Sequence, residues 1–268
     1  MSKFNYELFI KDNFKIINKE QNEVPFVLNT IQHQYLFNDM SGHDVILKAR
    51  QQGFSSVILA IFTADFILKQ NSVNYVVADI DDNATDLLQR VKYFIKAYEQ
   101  VTGVKVPLKY NSKSELVNEA MNSTYKIGTA KNAEFGRSKT ITNLHLSEFA
   151  FYPNPKNIIA GAGQAVVENG RLIIETTANG FNEFKTYWDD SVMGESTSKP
   201  LFYKASDFYS QEFLERKKKE LKERFPQEYP ETAEEAFLTS GDLYFDAIAL
   251  KHYNDNSMEF MREGQIYL

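Results

Sequence analysis

The chain has 268 residues, 43% of them hydrophobic and 25% charged, which suffices for one large α/β core. It contains no cysteine, which excludes disulfides and thiolate metal sites; with a start unlike a signal peptide, this predicts a reducing, cytosolic setting. A net charge of −6 argues against a surface that holds nucleic acid by bulk attraction, so any DNA contact must be local, transient or shared between subunits.

Residues 1–24 mix Lys, Asn and Asp with scattered aromatics and predict an amphipathic lead-in helix strapped over the core. Asn29 or Thr30 can then cap a helix carrying Gln32 and Tyr35. The Gln32 amide offers both a donor and an acceptor, as the edge of adenine requires. A β-branched strand over 44–48 runs into a polar turn with a single glycine, and Ser55 and Ser56 open an apolar helix ending near Leu68. That run is broken by Thr63 and Asp65 and is too short to span a bilayer, so no membrane role is expected. Strand, turn and helix in this order make the layout of a phosphate-binding loop. Against the pattern G-x-x-x-x-G-K-[ST] the loop is irregular: Lys48 stands at the first Gly, Phe54 at the usual Lys, and only Gly53 and Ser55 match. An ordinary turn is the alternative reading.

A second strand over 74–79 shows no alternation, as expected of a strand covered on both faces. A helix from Ala84 to about Tyr98 follows, capped by Asp82 or Asn83, and the spacing implies right-handed parallel βαβ units. From 103 to 140 the pattern weakens, with short strand candidates at 115–118 and 124–127. Residues 128–139 form a glycine-flanked loop with Lys131, Arg137 and Lys139. A strand over 141–148 ends in Ser147-Glu148, and in open parallel sheets the carboxyl ends of strands border the ligand crevice. A carboxylate there can orient or deprotonate a water. A helix over 158–167, an Asn169-Gly170 turn and a strand over 171–176 lead to Thr177-Ala178-Asn179-Gly180, a hydroxyl, an amide and a glycine suited to sensing an anion. Turns use the same residues. A helix follows over 181–188, then a strand over 201–205, a charged helix capped by Ser210 and running to about Phe225, and a capping box at Thr232-Ala233-Glu234-Glu235.

Taken together these features have the logic of nucleotide hydrolysis, in which catalysis is mostly positioning and neutralisation of phosphate charge. Backbone N–H groups around Gly53 would cradle phosphates, the Ser55 hydroxyl would ligate Mg²⁺, and Lys48 and Arg50 are the only basic residues inside the loop that can replace its missing lysine.

In these segments the sequence resembles the ATPase domain of tailed-phage large terminase subunits, from Phe26-Val27-Leu28-Asn29 through Lys48-Ala49-Arg50-Gln51-Gln52-Gly53-Phe54-Ser55, Leu144-His145-Leu146-Ser147-Glu148 and Glu175-Thr176-Thr177-Ala178-Asn179-Gly180 to Tyr229-Pro230-Glu231 and Glu234-Glu235-Ala236-Phe237. The resemblance implies an α/β P-loop NTPase of the ASCE/RecA-like type, with a mainly parallel central sheet and helices on both faces. It implies Gln32 as the adenine-sensing residue, Lys48 or Arg50 as the phosphate cation, residues 50–56 around the phosphates, Glu148 as the catalytic carboxylate, and Thr177, Asn179 and Gly180 as the coupling motif. ATP and Mg²⁺ follow as cofactors. Expected partners are double-stranded DNA, a portal protein, a small terminase subunit and copies of the chain itself, in a ring that is pentameric on the portal and monomeric in isolation, in the host cell cytoplasm. Arg137 is the expected arginine finger in trans, with a DNA contact or a solvated side chain as alternatives.

The sequence departs from the family at Ser147, where an acid usually precedes the catalytic Glu, so the metal site is altered and leans more on Ser55. Such terminases also continue into an RNase H-like nuclease domain. The expected organisation is a lead-in over 1–24, an ATPase core over 25–205 and a helical subdomain or linker over 206–268, without the nuclease. A helicase-like P-loop ATPase and a non-catalytic nucleotide-binding assembly module are the alternatives.

Overall fold

A computed structural model describes residues 4–131 and 140–238. Eight strands form one sheet in the order β10-β3-β9-β8-β4-β7-β6-β5. They are β3 (His43–Lys48), β4 (Val73–Ala78), β5 (Leu108–Asn111), β6 (Glu115–Asn118), β7 (Ser123–Thr129), β8 (Ile141–Ser147), β9 (Val166–Thr176) and β10 (Lys199–Tyr203). From β10 to β7 all neighbours are parallel, and β6 and β5 extend the sheet as antiparallel strands. A separate hairpin pairs β1 (Lys15–Ile17) with β2 (Glu23–Pro25).

Parallel strands buried on both faces sort their side chains by alternation. Ile46, Val76 and Ile173 point to a core shared with α1 (Tyr6–Asn13), α2 (Thr30–Gln34), α3 (Phe54–Leu68) and α4 (Asp81–Thr102). Val45, Leu47, Val77 and Ile174 point to the opposite core, which is closed by α5 (Pro155–Gly161), α6 (Glu183–Met193) and α9 (Ala233–Leu238). Helix α3 is buried along almost its whole length, from Phe54 to Ile67. Each fully buried Ile or Phe there contributes about 1.5–3 kcal/mol relative to exposure. Among the described residues no helix is long and apolar enough to cross a membrane.

The structure revises several sequence expectations. The lead-in is not one helix: α1 stops at Asn13, capped at its start by Asn5, and the chain turns into the β1–β2 hairpin, where Phe14 and Phe26 both stack on Phe94. Asn29, not Thr30, caps α2. Helix α4 starts before Asp82 and Asn83, has no side-chain cap and ends at Gly103 in the left-handed region. The expected Asn169-Gly170 turn is kept as a bulge within β9, where residues 167–170 stand between the paired Val166 and Arg171 against the single Thr142 of β8, and the helix expected over 158–167 ends at Gly161 before a short 3-10 turn. Gly170 is needed there because a Cβ would come within 2.8 Å of the Thr142 carbonyl oxygen and 2.7 Å of Val166 Cγ1. The register of β8 against β9 shifts at this point, between Ile141 and Asn143. The tail expected as one charged helix is α7 (Gln211–Leu221), capped by Ser210, followed by a 3-10 turn and α8 (Phe225–Glu228).

Candidate nucleotide site

Strand β3 delivers Lys48 to the carboxyl edge of the sheet, and the chain then turns through 49–53 into α3. Gly53 makes the turn possible: its φ is +85°, and a Cβ would sit 2.6 Å from Gln32 Nε2. The first turn of α3 leaves N–H groups without intrahelical partners, aimed out of the helix start.

The loop is held from two sides. On one, Asn29 and Gln32 form a reciprocal capping box, and both reach across to the loop: Gln32 Nε2 donates to the Gly53 carbonyl at 2.8 Å and Asn29 Nδ2 to the Gln52 carbonyl at 3.2 Å. Gln32 is buried, and an adenine edge would meet its amide only by opening the bond to Gly53. On the other side, the amides of Ala49 and Arg50 donate to the carbonyls of Tyr203 and Glu228, Gln52 Nε2 donates to the Lys204 carbonyl, and Tyr209 donates to the Arg50 carbonyl. Phe54, at the usual lysine position, is buried between the rings of Tyr35 and Tyr203, so its direction leads into the core. Gln51 sits at φ 58°. Ser56 accepts a hydrogen bond from Arg90 at 3.3 Å.

The two cations of the loop have separate surroundings. The Lys48 side chain is 5% exposed and lies 3.2 Å from Glu148 Oε1 and 3.1 Å from Glu175 Oε2. Arg50 is 59% exposed and pairs with Glu228 at 3.2 Å, outside this cluster.

Glu175 was not singled out from the sequence as a site residue, yet it is the hub. It is fully buried at the end of β9, between β3 and β8. Its Oε1 receives hydrogen bonds from Ser55 Oγ at 2.7 Å and Ser147 Oγ at 2.8 Å, with His145 Nε2 at 3.3 Å. Burial works to raise the Glu175 carboxyl, but the Lys48 ammonium and the bonds from His145 and Ser55 outweigh it and hold the group far below the usual carboxylate range. The available signal was a lone acid inside the apolar run Leu172-Ile173-Ile174-Glu175, because a carboxylate buried on both faces needs partners.

Glu148 follows β8 in the left-handed region, at φ 56° and ψ 45°. Such a conformation costs a non-glycine residue on the order of 1–3 kcal/mol. The bond from its amide to the Glu175 carbonyl, 2.8 Å, holds it there. Burial raises the Glu148 carboxyl above its ordinary value, with Lys48 opposing and Glu175 adding to the rise. Its Oε2 accepts from the Thr177 amide at 3.4 Å. Beyond Thr177, Asn179 Nδ2 donates to the Ala150 carbonyl at 3.3 Å, Gly180 adopts φ 67°, and Asn182 caps α6. The structure thus gathers Lys48, Ser55, Ser147, Glu148 and Thr177 at one edge, and leaves Arg50 aside. Arg137 lies outside the described residues.

A P-loop strand separated from the strand of the acidic residue by one further parallel strand, with helices on both faces, is the ASCE form of the P-loop NTPase fold. The solved structures similar to this one have that fold. The large terminase ATPase domain of Thermus phage P74-26 matches at a TM-score of 0.60 and 17% identity, over 75% of this chain and 92% of that domain. The large terminase of bacteriophage HK97 matches at 0.63 and 18%, over 80% of this chain and 50% of that protein. The large terminase of a thermophilic bacteriophage in complex with ATP-gamma-S matches at 0.56 and 14%, over 75% of this chain and 51% of that one. The chain therefore has the fold of phage large-terminase ATPase domains and spans about half the length of the complete terminases it matches. No protein-family model and no curated protein matches the sequence.

Proposed function

We propose that the chain is an ATP-hydrolysing motor domain that moves double-stranded DNA into a procapsid, acting in the host cytoplasm in a ring of its own copies docked on a portal and served by a small terminase subunit. The observation that carries this reading is the convergence of Lys48, Ser55 and Glu148 at one end of a parallel sheet, with the width of β9 between the phosphate loop and the carboxylate.

In this reading the amides of residues 51–56 hold the phosphates and Lys48 leaves the carboxylates for phosphate oxygens. From the end of β3 it stands in for the lysine that Phe54 cannot supply; Arg50, bonded to Glu228, is the less favoured cation. Glu148 orients the attacking water and takes its proton, a task suited to a carboxyl raised above its ordinary value. The donor set fits Mg²⁺: the Ser55 hydroxyl is a hard oxygen ligand, and one lysine facing two glutamates leaves net negative charge that triphosphate oxygens would meet only across a cation. Mg²⁺, when bound, neutralises charge on the β- and γ-phosphate oxygens. Thr177 and Asn179 are the coupling residues, because the Thr177 amide touches Glu148 and the following stretch leads into α6. Arg137 from a neighbouring copy is the proposed finger.

Steady-state ATP hydrolysis tests the proposal, measured with and without double-stranded DNA. Glu148→Gln should lower turnover about 10²–10⁴-fold. Hydrolysis unchanged in that variant would remove the motor reading, and nucleotide binding without any turnover, even with DNA and portal present, would replace it with a non-catalytic assembly module.

A further inference from the structure

The metal-side acid expected just before the catalytic carboxylate is Ser147 in this chain. In the parallel register of β8 and β9, Ser147 lies opposite Glu175, so the two side chains leave the sheet on the same face at the same level. We infer that Glu175 has taken over, from the adjacent strand, the work of the absent acid, positioning the Ser55 hydroxyl and the divalent cation that accompanies the nucleotide. The inference rests on the nucleotide-hydrolysis reading above.

A serine hydroxyl that ligates a cation through its oxygen must give its single proton to an acceptor. Ser55 gives it to Glu175 Oε1 at 2.7 Å, which leaves the oxygen lone pairs free. Ser147 gives its own proton to the same atom at 2.8 Å, so serine at 147 is the complement of glutamate at 175. An acid at 147 would instead set a second carboxylate against the first. Nor is Glu175 merely a counterion for Lys48, which already has Glu148. Only Oε2 faces the ammonium, at 3.1 Å, whereas Oε1 is turned to the two hydroxyls and His145. Glu175 is therefore a positioning residue with one oxygen for the cationic side chain and one for the hydroxyl ligand.

The test is equilibrium binding of a fluorescent ADP analogue to the full chain, in Mg²⁺ and in EDTA. Wild type should bind more tightly with Mg²⁺. In Glu175→Gln the advantage conferred by Mg²⁺ should fall by about 10–100-fold, the usual effect of losing a group that orients a metal ligand. Adding Ser147→Asp to that variant should return most of it, a rescue that a purely structural role would not produce. Should Glu175→Gln fail to fold, Glu175→Asp keeps the charge beside Lys48 but withdraws the carboxylate from Ser55, and it too should lose Mg²⁺ advantage. An undiminished Mg²⁺ advantage in the folded variants, or a loss that Ser147→Asp does not relieve, overturns the inference. Wild type that binds the analogue equally with and without Mg²⁺ overturns the inference alone, and wild type that binds no nucleotide overturns the hydrolysis reading with it.

Discussion

Lys48 and Glu148 are 100 positions apart in sequence, and their side chains meet at 3.2 Å, across the width of β9, as an ion pair buried on the lysine side and 32% exposed at the glutamate. The group proposed to grip phosphate thus begins bound to the group proposed to activate water. Arrival of a nucleotide that draws Lys48 away would release Glu148 in the same movement.

Substituting Lys48 by Met should therefore lower ATP turnover by about 10²–10³-fold, the scale of removing one preorganised electrostatic contact. Arg50→Ala, which removes an exposed pair with Glu228, should change turnover far less. Steady-state hydrolysis of the two variants side by side distinguishes the cations, and the reverse order would transfer the role to Arg50.

Gly53→Ala combines backbone strain at φ +85° with a Cβ placed 2.6 Å from Gln32 Nε2. The left-handed conformation alone costs about 1–2 kcal/mol. Chemical denaturation of Gly53→Ala, Gln32→Ala and the double variant should give a double-variant loss smaller than the sum, because the collision disappears with the glutamine. Additive losses would mean that the two residues do not press on each other.

At the other end of α3, Asp65 pairs with Arg171 at 2.7 Å and with Lys69 at 2.8 Å, and accepts from Tyr6 and Asn143. Burial works to raise its carboxyl, but Arg171 and Lys69 prevail and lower it. A carboxylate depressed in the folded state stabilises above its unfolded pKa of about 3.9, and the contribution is lost as pH falls through the lower folded value. Asp65→Asn should cost about 3–5 kcal/mol at pH 7 by leaving a charge unpaired, and the gap to wild type should close as the solution is acidified. Denaturation midpoints taken from pH 7 down to about pH 1.5, through the window below the unfolded value, check this; a gap that stays constant below pH 4 would show that the charge is not what Asp65 contributes.

Gly170→Val would drive side-chain carbons against the Thr142 carbonyl and Val166. Overpacking of this kind costs about 1–3 kcal/mol. A thermal melt unchanged from wild type would show that β9 can yield at this point.

How much of this was legible in the sequence depends on whether a feature is local. The β3–loop–α3 unit was readable because its β-branched run, single glycine and apolar helix are consecutive. Strand β5 escaped because it lies at the sheet edge with Lys109, Tyr110 and Asn111 exposed, so no burial pattern marks it. The start of β9 escaped because Asn169-Gly170 has turn chemistry and forms a bulge inside the strand, and glycine is needed there because of Val166 and Val167 within the bulge together with the Thr142 carbonyl of β8, the last a contact between segments distant in the chain. Glu175 escaped for the same kind of reason. Its partners come from the ends of two other strands, Lys48 and Ser147, and from the first turn of α3, Ser55, and only the register of β9 between those strands turns an ordinary acid into their common partner.

The loop over 49–53 is tied to the end of β10 and the segment beyond it by main chain and side chain together: the Arg50 amide to the Glu228 carbonyl, the Ala49 amide to the Tyr203 carbonyl, Gln52 Nε2 to the Lys204 carbonyl and Tyr209 to the Arg50 carbonyl. From the same segment, Gln227 reaches the carbonyl of Ala178, beside the proposed coupling residues. One short stretch of polypeptide therefore reports on both ends of the reaction, the place where phosphate would be gripped and the place where its loss would be felt. Gln227 and Glu228 are consecutive residues of α8, so the loop at Arg50 and the stretch at Ala178 are yoked to one turn of helix, and a shift of that turn would pull on both at once.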